Sequence, residues 1–233
     1  MRTVTKLMKN WQFTGPDGKT AAVELPHTWN HIDGQDGGND YKRGSCTYQT
    51  TFAKPAFDAG TQQVWLQFEG VNASAAVTLN GTEVIRHDGG YSTFRADITA
   101  LLAEQNTLTV IADNSKNDRV YPQKADFTFY GGIYRDVSLL VVSKNHIALN
   151  YLGSCGVRIT PTVKGSSADI RVQTRVEGEG EVEITVTDAA GSTVLTGTGA
   201  DTTLTMQHPH LWDGVRDPYL YTCTVRLVQN GTA

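Results

Sequence analysis

Two stretches gather the side chains whose types and spacing suit chemistry. The first reads Pro26-His27-Thr28-Trp29-Asn30, then Asp33-Gly34-Gln35-Asp36-Gly37-Gly38-Asn39-Asp40-Tyr41-Lys42-Arg43. Carboxylates, amides and an aromatic set among glycines suit a sugar, whose hydroxyls bond Asp and Asn while its apolar ring face packs on an aromatic. The same composition also serves a calcium loop or a solvated loop, although the alternating carboxylates and closing Glu of an EF-hand are missing. The second stretch runs from Asp113-Asn114-Ser115-Lys116-Asn117-Asp118-Arg119 through Tyr121, Asp126, Phe127, Phe129, Tyr130, Gly131-Gly132, Ile133 and Tyr134 to Arg135-Asp136. So many aromatics in one loop expose apolar area unless the loop packs on something. Either it folds over its own core, or it docks on a partner and offers Asp126 to a ligand.

Other constellations are missing. There is no Gly-x-Ser-x-Gly, no phosphate-cradling glycine loop before a helix and no His-Glu-x-x-His. His208-x-His210 would place two imidazoles on one strand face, but a metal centre needs a third ligand, so no metal is expected. Cys46, Cys155 and Cys223 lack CxxC spacing and read as free thiols. The sequons at Asn72, Asn80 and Asn230 read as turn chemistry, since no apolar leader precedes them.

The elements that must position these residues read as strands. Val64–Phe68, Ala76–Leu79, Leu108–Ile111 and Val137–Val142 are short, β-branched or aromatic, and bounded by Gly, Asn or Asp. Asn80-Gly81 between two alternating runs predicts a type I′ hairpin. The one helix candidate, Ile98–Glu104 with Asp97 as N-cap, is about two turns long. Near 143–150 the texture changes from long aromatic loops to strands at short, even spacing: 156–163, 169–176, 181–187, 193–196, 203–206 and 220–228. That spacing suggests an immunoglobulin-type sandwich. Its roughly 90 residues fall short of the about 100 of a complete domain, and Asn230-Gly231 stands where a hairpin into a last strand would turn. The expected domains are residues 1–143 and 144–233, the second truncated at its C-terminal end.

Length and charge narrow the classes. At about 150 residues per domain, 233 residues allow one large or two small domains. A formal charge of −4 without blocks of like charge argues against nucleic-acid or anionic-membrane partners. No apolar run is long enough to span a bilayer, and a cytoplasmic location is expected.

Taken in chain order, four stretches resemble the N-terminal half of family 2 glycoside hydrolases, the β-galactosidases, β-glucuronidases and β-mannosidases. They are Pro26-His27-Thr28-Trp29; Tyr41-Lys42-Arg43-Gly44 leading to Tyr48; Phe68-Glu69-Gly70-Val71 through Leu79-Asn80-Gly81; and Tyr130-Gly131-Gly132-Ile133-Tyr134-Arg135-Asp136-Val137. His210-Leu211-Trp212-Asp213-Gly214 and Asp217-Pro218-Tyr219-Leu220-Tyr221 resemble the closing signature of that family's immunoglobulin-like domain. Thr47 departs from the pattern, because many relatives carry a tryptophan there.

The resemblance implies an all-β chain: a jelly-roll sugar-binding domain, then an immunoglobulin-like β-sandwich. In the family a (β/α)₈ barrel follows, carrying two glutamates that cleave a glycosidic bond with retention. The family's acid/base follows an asparagine, and none of the eight glutamates here does, so no catalytic residue is expected within the chain. Asp126 matches the aspartate that reaches the glycon from the jelly roll. Phe127, Phe129 and Tyr130 then read as the face that docks on the barrel, and Arg43 and Arg135-Asp136 as structural pairs. The implied bacterial parent acts on β-galactosides first and β-glucuronides second, needs no cofactor and is a homo-oligomer. The rival readings are a free-standing carbohydrate-binding module and an adhesion sandwich.

Overall fold

The computed structural model describes residues 2–33, 42–123, 125, 128–151, 154–229 and 231. It divides into two compact units, Arg2–Ser143 and Lys144–Ala233, each described by itself.

Ten strands form the first unit: β1 (Thr3–Lys6), β2 (Trp11–Thr14), β3 (Thr20–Val23), β4 (Ser45–Ala53), β5 (Gln62–Phe68), β6 (Ser74–Leu79), β7 (Thr82–Asp88), β8 (Phe94–Asp97), β9 (Gln105–Asp113) and β10 (Val137–Ser143). They make a four-stranded sheet, β1-β10-β5-β8, and a six-stranded sheet, β3-β2-β4-β9-β6-β7, with every pairing antiparallel. Period-two alternation turns one face of each strand inward. Cys46, Tyr48, Thr50 and Phe52 of β4 are buried, as are Val64, Leu66 and Phe68 of β5 and Leu108, Val110 and Ala112 of β9. All of these but Cys46 and Thr50 join Trp11, Val77, Leu79, Ile133, Leu139 and Val141 in one core between the sheets. Tyr48 is fully buried, so the threonine at 47 leaves the packing at 48 intact.

The β6–β7 hairpin turns at Asn80 (φ 50°) and Gly81 (φ 83°), the two positive-φ positions of a type I′ turn. The helix expected over 98–104 shrinks to a 3₁₀ turn, Thr99–Leu101. Asp97 does serve its start, its carboxylate accepting from the Thr99 amide at 2.9 Å. The buried Asn106 side chain ends it, accepting from Ala103 N–H and donating to Ala103 C=O, groups a longer helix would use itself.

The second unit holds β11 (His146–Ile147), β12 (Val157–Lys164), β13 (Ser167–Thr174), β14 (Val176–Glu177), β15 (Glu181–Thr187), β16 (Thr193–Thr198), β17 (Asp201–Gln207) and β18 (Thr222–Val228). Two three-stranded sheets, β12-β13-β17 and β16-β15-β18, make an immunoglobulin-like sandwich, with β11 pairing β14 beside it. Its core is small: Val172, Val182 and Ile184, backed by half-buried Ile170, Leu204, Val225 and Leu227.

Candidate functional site

The loops with chemical potential converge at one end of the first unit. Residues 24–44 join β3 to β4, 114–136 join β9 to β10, and 69–73 join β5 to β6. Among the described residues these stretches form no strand ladder, so their backbone groups need partners elsewhere.

Beneath the loops lies an aromatic cluster. Phe13 sits 4.8 Å from the His27 ring, 5.0 Å from Tyr48 and 6.2 Å from Trp29, centroid to centroid. His27 Nδ1 lies 2.7 Å from the Tyr48 hydroxyl. Burial, with the charge of His31, holds the His27 imidazole below its ordinary pKa, and burial first of all pushes the Tyr48 hydroxyl upward. The pair is therefore neutral near pH 7, and the imidazole tautomer decides which of Nδ1 and the Tyr48 hydroxyl donates.

Above this cluster, residues 129–134 are stitched in from both sides. The His27 amide donates to the Ile133 carbonyl at 2.8 Å, and Asn72 and Gly132 exchange backbone bonds of 3.0 and 3.1 Å. Fully buried Asn30 accepts from the Gly131 amide at 2.7 Å and donates to the Phe129 carbonyl at 3.0 Å. The Asn72 side chain donates to the Tyr130 carbonyl at 2.9 Å. A Cβ on Gly131 would stand 2.4 Å from the Trp29 ring, and one on Gly132 (φ 123°) 2.6 Å from both the His27 carbonyl and the Tyr48 hydroxyl. Both glycines are places of close backbone approach.

The remaining loops are tied by the same means. Asn114 accepts from the Gly44 amide at 2.8 Å and donates to the Lys42 carbonyl at 3.3 Å. Arg43 donates to the carbonyls of Asn114 at 3.1 Å and Gln123 at 2.7 Å. Trp29 Nε1 also reaches the Lys42 carbonyl, at 2.9 Å. Buried Asp33 accepts from the Lys42 amide at 2.5 Å, and Thr128 donates to the Asp33 carbonyl at 3.2 Å.

Asp126 and Phe127 lie outside the described residues. Of the described residues near them, the Gln123 carbonyl accepts from Arg43 and the Thr128 hydroxyl donates to the Asp33 carbonyl. Phe129 is 8% exposed and so turns little of its ring to a partner, whereas Tyr130 is exposed. Arg43 is structural, as expected, but through carbonyls rather than a carboxylate. Arg135 donates to the Tyr91 carbonyl, and Asp136 pairs with Lys6 at 2.6 Å. His208 takes a left-handed φ of 48°, which breaks the alternation that would align it with His210. His210 instead stacks on Tyr219 at 3.9 Å and meets Asp217 at 2.6 Å. Among the described residues no group of three His, Cys, Asp or Glu is placed to hold a metal.

Sequence reasoning singled out the charged and aromatic members of these loops and missed Asn30, Asn72 and Asn114 as their clamps. Asn30 bonds partners 99 and 101 residues away, a relation with no local signature.

The family model described as the glycosyl hydrolase 2 galactose-binding domain-like fold matches residues 36–148, and that of glycosyl hydrolases family 2 matches residues 150–233. The chain belongs to glycoside hydrolase family 2. It is 34% identical to a β-glucuronidase of Bacteroides fragilis, over 97% of this chain and 35% of that one. A β-galactosidase of Bacteroides ovatus is 28% identical over 95% of this chain and 29% of its own length. Among solved structures, an FMN-binding β-glucuronidase from Facaelibacterium prausnitzii L2-6 superposes with a TM-score of 0.91 at 34% identity, covering 100% of this chain and 38% of that one. The chain thus spans about a third of the length of the family 2 relatives it matches.

Proposed function

We propose that this chain is the non-catalytic N-terminal portion of a retaining β-glycosidase, lending a substrate-contacting loop to a catalytic barrel elsewhere in the same polypeptide. The observation that carries the reading is the succession of the two family 2 domains over 36–148 and 150–233. The loop geometry agrees with it. The described residues of this loop, Gln123, Thr128 and Phe129, bond Arg43, the Asp33 carbonyl and Asn30, so the loop is tied to the sandwich's other loops. Of the described members of the expected docking face, Phe129 is buried and Tyr130 is exposed and left to meet the barrel.

β-Glucuronides lead as substrate, because two curated relatives of 34 and 31% identity over nearly the whole chain bear that name, although a solved structure named for a β-galactosidase reaches 36%. β-Galactosides, favoured by the sequence alone, follow on the strength of the galactosidase relatives. The groups that choose between a carboxylate and a hydroxymethyl belong to the barrel in this reading. The test is kinetic. With nitrophenyl glucuronide and galactoside, the full-length enzyme should prefer the glucuronide. Asp126→Ala should lower kcat/KM by roughly 100-fold or more, the scale of losing a group that holds the reacting sugar. An unchanged kcat/KM would remove Asp126 from the site.

A further inference from the structure

The second unit carries a polar cleft at the end of β13. It measures about 530 Å³, and Tyr151, Arg158, Gln173, Thr174, Arg175 and Asp201 line it. That size accepts a small ligand. Strand register sets three of these side chains in a row. Arg158 of β12 stands opposite Gln173 of β13, which stands opposite Asp201 of β17, so all three share the sheet face turned away from buried Val172. Backbone bonds fix the others. The Arg175 amide donates to the Gly156 carbonyl at 2.7 Å, and the Thr174 amide to the Ala200 carbonyl at 2.7 Å. Ser154 ties the Tyr151 carbonyl through its own amide at 2.9 Å and its hydroxyl at 2.7 Å.

Charge in the cleft is unbalanced. Arg86, Arg119 and Arg216 each meet a carboxylate, and Arg171 holds Asp201 with bonds of 2.7 and 2.5 Å. Among the described residues neither Arg158 nor Arg175 forms an ion pair. The one carboxylate of the cleft is thus already matched, and two guanidinium charges are left over for an anion. Arg175 stands 5.8 Å from the Tyr151 ring centroid, and that tyrosine is 47% exposed. Thr174, 8% exposed, keeps a buried hydroxyl with no partner. An unmet buried hydroxyl costs stability, and at a cleft wall a ligand oxygen, or a water it brings, ends the deficit.

We propose that this cleft binds an acidic sugar, with the carboxylate taken by Arg158 and Arg175, the pyranose ring face resting on Tyr151, and hydroxyls reaching Gln173 and Thr174. The planar fork of arginine matches a carboxylate. An exposed tyrosine offers the apolar wall that a pyranose ring packs against. The Gln173 amide leans on Asp201 at 3.4 Å, which leaves its carbonyl oxygen to accept from a hydroxyl. A bare inorganic anion would use the arginines and leave the ring and the amide idle. The site goes beyond the function proposed above and stands whichever glycoside the parent cleaves.

The test titrates ¹⁵N-labelled residues 1–233 with methyl β-glucuronide, methyl β-glucoside and inorganic phosphate, followed by amide NMR shifts. The glucuronide should move the amides of Arg158, Gln173, Thr174 and Arg175, and bind about tenfold or more tighter than the glucoside. Arg158→Ala and Arg175→Ala should each weaken it about tenfold; neither breaks an ion pair, and an otherwise unchanged spectrum reports the intact fold. Tyr151→Ala should weaken the glucuronide severalfold and leave phosphate binding as it was. No shift at the cleft amides would overturn the proposal, as would equal affinity for the glucoside. Phosphate binding as tightly as the glucuronide, or a Tyr151→Ala loss equal for both, would overturn it too by reducing the cleft to a plain anion site.

Discussion

At the scale of single residues, the side-chain amides of Asn30, Asn72 and Asn114 join Arg43 and Asp33 in holding the loop end of the first unit. Asn30 is fully buried and joins Thr28, Phe129 and Gly131. Asn30→Ala leaves a buried N–H and C=O without partners, at about 1–3 kcal/mol each. A loss of about 2–4 kcal/mol in denaturant unfolding is expected, and a loss under 0.5 would mean the loop repairs itself. His27 adds a pH dependence. Its pKa is depressed in the folded state, so the unfolded chain takes up protons first as pH falls. Stability is then whole above the ordinary imidazole value of about 6.5 and drains away as pH drops through it toward the folded-state pKa. Tryptophan fluorescence suits the measurement, because Trp11, Trp29 and Trp65 lie in the first unit. The unfolding midpoint should fall between pH 7 and 5, and less steeply in His27→Asn; half-buried His87, its pKa lowered the same way, adds to the remaining slope. An identical slope in variant and wild type would contradict the assignment.

At the scale of elements, what was legible in the sequence was what is decided locally. Asn80-Gly81 declares its hairpin because two adjacent residues must take positive φ. The alternation of β4, β5 and β9 declares which face is buried. The helix over 98–104 failed because Asn106, outside the window, captures Ala103. Phe129, expected from the resemblance on the docking face, is 8% exposed, and its carbonyl accepts from Asn30, 99 residues away. The two kinds of glycine separate these cases experimentally. Gly81 has φ 83° and open space where a Cβ would be, so Gly81→Ala costs only the backbone strain of about 1–2 kcal/mol. Gly132→Ala adds contacts of 2.6 Å to the His27 backbone and the Tyr48 hydroxyl, and should cost clearly more. The reverse order in a melting comparison would mean that residues 130–134 are less tightly held than their bonds imply.

At the scale of the whole molecule, two β-sandwich units of family 2 follow one another, the first with a cross-linked loop end. The motifs made the family legible because Tyr130–Val137 and His210–Tyr221 are short runs fixed by packing: Gly131 and Gly132 pressed against Trp29 and Tyr48, and His210 stacked on Tyr219. The glycon was not legible, since nothing in these loops separates a uronate carboxylate from a hydroxymethyl. The central claim is that the chain positions substrate for chemistry performed elsewhere in the polypeptide. Its most direct test is turnover of nitrophenyl β-glucuronide and β-galactoside by purified residues 1–233 beside the full-length parent at equal molarity. The parent should hydrolyse at least one of the two and residues 1–233 neither. Hydrolysis that co-elutes with residues 1–233 would contradict the account.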